Sequence, residues 1–357
     1  MADDKTIQLF SYGTLRQPDV QMALFGRSLT GSDDAMPGYR TTMLEITDPA
    51  VLATSGERFH PIVEPSSDPA DEVAGRVFQI SEAELWQADA YEVSDYARIR
   101  VQLRSGLFSW VYVKAEKRNE SERLAALVAA EDRAFALLDA IEVAGVIAAG
   151  RSEFEIERAI FDIASRHFGV TEHWHDRVVR AGPNTLCVAG EAAPDRIVAE
   201  DDIVFLDLGP VFGEWEADVG RSYVIGADPE KRRLVADLEI VFDVVRRRFE
   251  KDESITGAGL YAAAHEEAEA RGWRFGGRIA GHVVGLYPFA LSPAGRDGGR
   301  ISAANPQRMR DPDSHGQSRH WILEIHLVAR DGSFGGFYER LLLPDRRSGS
   351  PPSSFAP

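Results

Sequence analysis

Two stretches, IVFLDLGPVFGEWEADVGRSYVI (203–225) and HWILEIHLVARDGSFGGFYERLLLP (320–344), have the β-branched and aromatic content of paired strands. In both, every arm carries an acid. A turn about the Phe212–Gly213 bond makes direct partners of residues whose numbers sum to 425, and Asp207 and Asp218 satisfy that sum. In the second stretch Asp331-Gly332 is a two-residue turn signal. Partners there sum to 663, and Glu324 meets Glu339. Directly opposed residues hold their Cβ atoms roughly 4.5–5.5 Å apart, and like charges so placed destabilise a strand pair. No cation adjoins Asp207 or Asp218 in sequence. One facing pair could share a proton. Two such hairpins in one chain are hard to reconcile without added positive charge, and a divalent cation would supply it.

An imidazole is available in RIAGHVVGLYP, where His282 follows Gly281 in a strand-like segment. A lone histidine in an apolar run is more often a core residue, but four acids elsewhere reverse that preference. Carboxylates alone suit magnesium or calcium, whereas an added imidazole moves the preference toward manganese, cobalt, zinc or iron. The order Asp207, Asp218 eleven residues on, a GHxxG histidine 64 further, then Glu324 and Glu339 resembles the pita-bread metallopeptidases. That family includes methionine aminopeptidase, aminopeptidase P and prolidase. The resemblance covers roughly residues 122–344 and implies a pita-bread α/β fold with a dinuclear metal site. It implies that Asp218 and Glu339 bridge two divalent ions, that Asp207 chelates one, and that His282 with Glu324 holds the other. It also implies that a hydroxide held between the ions attacks the scissile carbonyl, with Glu324 shuttling the proton. Similar metallopeptidases are commonly homodimers, which leaves a homodimer open here.

The chain departs from that pattern in two places. Phe289 stands where peptidase members carry a second histidine, seven residues after the first. The segment RAGPNTLCVAGE (180–191), where members often have a histidine, offers Asn184 and Cys187 instead. His320 or His326 could compensate, although a core role is expected for His326. His173 and His175, in TEHWHD, are expected at the surface or a pocket rim. The polar segment from Ser292 to His320 reads either as a solvated loop or as a lid that clamps a substrate carboxylate through Arg308 or Arg310.

Residues 7–114 have another texture: short strand-like runs separated by Gly/Pro/Asp-rich turns, with one helix capped by Ser81 and Glu84. LFSYGTLRQPDVQ places Tyr12, Gly13, Thr14 and Leu15 just after a strand, where exposed N–H groups could cradle a carboxylate or oxyanion. In ADAYEVSDYARIRV, Glu92 lies between a helix and a strand among aromatic residues, so its pKa could be raised for work as a base. A solvated turn glutamate is the plainer reading of that residue by itself. YGTLR, GRVFQI, YEVSDYARIRV and a final WVYV strand together resemble the γ-glutamylcyclotransferase-like family. The resemblance implies a small mixed β-barrel. It implies that Glu92 takes a proton from the substrate α-amine, that the amine attacks the γ-carbonyl to release 5-oxoproline, and that Tyr12–Leu15 bind the glutamyl portion.

The expected organisation is therefore α+β in two domains: residues 1–117, residues 118–345 and a disordered tail, 346–357. The Ala/Leu/Glu-rich run that begins near residue 117 marks the change. At 357 residues two domains are the natural number, and 44% hydrophobic content is ample for two cores. A formal net charge of −17 argues against nucleic-acid and anionic-membrane partners. No apolar run of about 18 residues is present to span a membrane. A single cysteine excludes an intrachain disulfide and fits a reducing, cytoplasmic setting. Small peptides or γ-glutamyl compounds are the expected substrates. The expected function is an Xaa-Pro-type aminopeptidase or dipeptidase fused to a γ-glutamyl cyclotransferase. In the alternative reading only the Glu92 half turns over, and the other half binds metal or ligand.

Overall fold

The computed structural model describes residues 6–45, 58–92, 96–114, 119–187, 190–287, 299–313 and 316–343. Phe289, the expected tail and part of the polar 292–320 segment lie outside these residues. The chain divides into two compact units, Met1–Arg118 and Asn119–Pro357.

The first unit is built on strands β1 (Ile7–Ser11), β2 (Gly31–Pro37), β5 (Glu72–Ile80), β6 (Tyr96–Gln102) and β7 (Phe108–Lys114). They form one mixed sheet in the order β2-β5-β1-β7-β6, with β1 and β7 parallel and the other neighbours antiparallel. Strands β3 (Tyr39–Glu45) and β4 (Phe59–Pro65) make a separate ladder, and Val63 of β4 shares a core with Phe10, Val77 and Val111. Helix α1 (Pro18–Phe25) follows the YGTL turn and ends on Gly26, whose φ of 66° is the left-handed conformation glycine tolerates. Helix α2 (Glu82–Tyr91) has the expected capping box: Ser81 accepts from the Glu84 N–H, and the Glu84 carboxylate accepts from the Ser81 N–H. Its C-terminal cap is Glu92, whose extended ψ of 134° turns the chain away from the helix.

The second unit holds helices α3 (Glu120–Val143), α4 (Glu153–Phe168), α5 (Pro229–Lys251) and α6 (Gly257–Ala270). Its main sheet uses β8 (Val178–Ala181), β9 (Ile203–Leu208), β12 (Val219–Val224), β13 (Arg274–Phe275), β14 (Gly281–Val284), β15 (His320–Val328) and β16 (Gly335–Leu341). The order is β13-β15-β16-β12-β9-β8, with β14 also paired to β15, and every ladder is antiparallel. The short β10 (Val211–Phe212) and β11 (Trp215–Glu216) close the turn between β9 and β12. Period-two alternation then sorts the faces. Trp321, Leu323, Ile325 and Leu327 pack with Leu238 and Phe242 of α5 and Leu260 of α6. Val204, Leu206 and Leu208 pack with Leu137 and Ile141 of α3 and Ile156 and Ile160 of α4. Asp207 and Glu324 are left on the side away from these helices.

One hairpin has the expected register and one does not. Glu324 lies opposite Glu339, with Gly332 at the turn apex at φ 73°. In the other, Val211 pairs with Glu216 and Phe212 with Trp215, so the turn is Gly213-Glu214 and partners sum to 427 rather than 425. Asp207 therefore faces Gly220, not Asp218. The physical reason is the turn chemistry: Gly213, at φ 65°, allows a two-residue loop that centres the hairpin one bond further on. Asp218 remains on the same face, two residues along the strand from Gly220.

Candidate metal centre and second cleft

The corrected register reveals the construction of the site. Asp207 pairs with Gly220, Gly220 with Glu339, and Glu339 with Glu324. Three carboxylates thus stand in one row across four strands, with a glycine in the fourth slot. A Cβ on Gly220 would lie 2.6 Å from the Phe337 ring and 3.0 Å from the Glu339 Cβ. Asp218 enters beside this row. His282 sits on β14 opposite Ile322, hence on the same face as Glu324. Its Nε2 is 2.9 Å from Asp218 Oδ2, 3.7 Å from Glu324 Oε1 and 4.0 Å from Glu339 Oε1. All five residues expected at the site are brought together.

A sixth joins them. His175, expected at a surface or rim, has its Nε2 3.2 Å from Asp218 Oδ1 and 3.4 Å from Asp207 Oδ1. It arrives because the segment before β8 is strapped along the β9–β10 junction. The Trp174 N–H donates to Gly209 O at 2.9 Å, and the Val211 N–H donates to Glu172 O at 3.0 Å. The Trp174 indole donates to Ala217 O at 3.0 Å, and its ring stands edge-on to both His175 and His282, at 4.3 and 5.0 Å between centroids. The sequence signal was the HWH triplet itself; which neighbours it would meet depends on tertiary pairing.

Crowding and burial push three of the acids, Asp207, Glu324 and Glu339, toward their protonated forms. Burial raises Asp207 to about 6, against the pull of His175. Burial raises Glu324 to about 7, with His282 opposing. Glu339 is pushed well up by burial and by the charges of Asp218, Asp207 and Glu324. Asp218 goes the other way: burial would raise it, but His175 and His282 hold it down. Burial would lower both imidazoles, yet Asp207 and Asp218 lift His175 to about 10, and Asp218 lifts His282 to about 9.

The residues fit a pair of divalent ions. Glu339 Oε2 is buried with no hydrogen-bond partner. Two ligand-type groups, His175/Asp207/Asp218 and Asp218/His282/Glu339, share Asp218. Mixed imidazole and carboxylate donors suit first-row transition metals.

The remaining candidates lie elsewhere. His326 is buried with Nε2 2.8 Å from Thr185 O, a core role as expected. His320 pairs with Glu120 at 3.1 Å rather than with the cluster. Asn184 donates to both oxygens of Glu153 at 3.0 Å, a structural anchor. Arg310 donates to Phe249 O at 2.8 Å and stacks over the Phe249 ring, so it is engaged with the end of α5 rather than with a substrate site.

In the first unit, Tyr12, Gly13, Thr14 and Leu15 line a small solvent-open cleft together with Glu92. The loop is fixed from behind. Tyr12 Oη donates to Tyr112 O at 2.6 Å, and the buried Gln21 donates to Leu15 O at 2.9 Å. Thr14–Arg16 form one 3-10 turn, so its leading N–H groups find no carbonyl within the turn and can face a ligand. Glu92 is raised to about 8 by burial and by Asp89. Asp89 itself is tied to Arg98 at 3.2 Å and accepts from Tyr112 Oη at 2.8 Å. Tyr96, expected beside Glu92, lines the cleft too; His60 and Tyr112, not foreseen, come from β4 and β7 and reach it only through the fold.

Comparison with known proteins agrees with both halves. Residues 125–304 match metallopeptidase family M24, and residues 9–133 match the AIG2-like gamma-glutamyl cyclotransferase family. Both are enzyme families. Over 142 residues the chain is 26% identical to an Xaa-Pro dipeptidase of Pyrococcus furiosus, covering 39% of this chain and 40% of that protein. The chain therefore spans less than half of that relative. Among solved structures, an Xaa-Pro dipeptidase from Bacillus anthracis gives a TM-score of 0.50 at 16% identity, over 64% of this chain and 62% of that one. An X-Pro aminopeptidase from Thermotoga maritima gives 0.49 at 22% identity, over 65% and 63%. The Bacillus anthracis likeness bears on fold alone; with the family match over residues 125–304, the second unit has the pita-bread fold.

Proposed function

The chain belongs to metallopeptidase family M24, and on that premise we propose a bifunctional enzyme: residues 118–345 hydrolyse Xaa-Pro-type peptides, and residues 1–117 release 5-oxoproline from γ-glutamyl compounds. The observation that carries the first activity is the carboxylate row with its unpartnered Glu339 oxygen. Asp207, Asp218, His282, Glu324 and Glu339 would hold two divalent ions, with manganese, cobalt, zinc and iron all compatible with these donors. Ions so held polarise a scissile carbonyl and acidify water. Glu324 takes the proton of the attacking water and returns it to the departing amine. Convergence of five donor residues supports turnover here over the reading in which only the Glu92 half is catalytic.

In the cleft, Glu92 would take a proton from the substrate α-ammonium. Its pKa of about 8 matches that of an α-amine, about 7.7–8.0, so the transfer is nearly level in energy. The freed amine attacks the γ-carbonyl; the new C–N bond closes the five-membered lactam as the old amide bond breaks, and the leaving amine recovers the proton. The N–H groups of the Gly13–Thr14 turn would face the carboxylate or the developing oxyanion.

Elemental analysis of protein purified without chelator, beside Asp218→Ala, tests the first activity. About two transition-metal ions per chain are expected, lost in the variant, with hydrolysis of Xaa-Pro dipeptides following metal content. Release of 5-oxoproline from γ-glutamyl amines, lost in Glu92→Gln, tests the second. Metal-free wild-type protein would overturn the first assignment and leave the second standing.

A further inference from the structure

We propose that His175 supplies an imidazole nitrogen to the metal position defined by Asp207 and Asp218, so that each ion of the pair carries one histidine. The inference rests on the two-metal reading above and adds a donor outside the five of that reading.

The ring is built into place. His175 Nδ1 lies 2.6 Å from Asp176 O, a contact that fixes a proton on Nδ1 and turns Nε2 toward the acids, where a bound ion would take the place of the Nε2 proton. Asp218 divides its oxygens between the two imidazoles: Oδ1 is 3.2 Å from His175 Nε2, and Oδ2 is 2.9 Å from His282 Nε2. A carboxylate so shared is the natural bridge between two ions, each with its own nitrogen. Trp174 packs edge-on against both rings.

An independent observation is the hollow at Gly209. A Cβ there would fall 2.3 Å from His175 Cδ2, 2.5 Å from His175 Nε2 and 2.6 Å from Trp174 Nε1. Gly209, the residue just after β9, thus lets this imidazole approach Asp207. A histidine serving only as core filler needs no such hollow beside two acids. With His175, the Asp207 position becomes a mixed nitrogen–oxygen site, which favours zinc or cobalt over manganese more strongly than oxygen donors alone do.

The test uses the full chain, stripped of metal and titrated with zinc or cobalt(II), as wild type, His175→Gln and His282→Gln. Wild type is expected to take up two ions. His175→Gln should keep one at wild-type affinity and weaken the other by about tenfold or more, with a changed cobalt(II) visible spectrum. His282→Gln should weaken the opposite position. Two ions bound by His175→Gln at unchanged affinity, with the wild-type spectrum, overturn the inference while leaving the two-metal reading intact. No metal in wild type overturns that reading and this inference with it. X-ray absorption on zinc-loaded wild type requires no variant to fold: two imidazoles per metal pair are expected, and one per pair refutes the assignment.

Discussion

Glu92 is an acid whose proton is held by its surroundings, with burial the main cause and Asp89 adding to it. A base in that state works only when the proton has left. Release of 5-oxoproline should therefore rise with pH through about 8, and Glu92→Gln should lower it by about 10²–10⁴-fold; a pH–rate profile of both proteins checks this. The same residue affects stability with a definite sign. Its ordinary value is 4.5, so between there and about 8 the folded chain holds a proton that the unfolded chain has lost. The first unit is then fully stabilised by this group below about 4.5 and loses that contribution as pH rises toward 8. Thermal unfolding of Glu92→Gln against pH should lack the loss. At the other site, Gly209→Ala should displace the His175 ring, weaken metal binding at the Asp207 position and cost about 1–3 kcal/mol in stability, measured by denaturant melts beside metal titration.

At the scale of elements, the site depends on how strands are pinned to one another. Glu131 of α3 accepts from the backbone N–H of Leu341 at 2.7 Å and from Arg340 at 3.1 Å, latching the strand that carries Glu339. Glu131→Ala leaves a strand N–H unpaired in a buried setting and should cost about 1–3 kcal/mol, with weaker metal retention although no proposed ligand has changed; melting curves and bound-metal assays together read this out. Register also explains what the sequence disclosed. Glu324 and Glu339 could be paired from sequence because Asp331-Gly332 fixes the turn and the count runs unbroken outward from it. Asp207 and Asp218 could be named but not paired, since a one-bond shift of the turn at Gly213 moves every partner by two. The capping pair Ser81 and Glu84 was legible because a cap is a local event of four residues. The strap that carries His175 was not, because its hydrogen bonds join residues more than thirty positions apart.

The whole molecule consists of two units whose proposed chemistry needs nothing in common: one has a carboxyl group of raised pKa, the other clustered ligand-type donors. Stripping metal with a chelator should abolish Xaa-Pro hydrolysis and leave 5-oxoproline release unchanged, while Glu92→Gln should do the reverse with metal content intact. Assaying both reactions on one preparation decides it; joint loss would mean that the two activities are coupled. The sequence changes texture near residue 117, because alternating strands and Ala-rich helices have different periods. One feature of the second unit reaches beyond the chemistry. Two of its positions matter for the side chain they lack: Gly220, which leaves a gap in the carboxylate row, and Gly209, which admits an imidazole. A single base change turns a glycine codon into alanine, serine, valine or a charged residue. A gene can thus lose this cluster while still spelling every one of its proposed ligands, and a reader who checks only acids and histidines would count such a gene as intact.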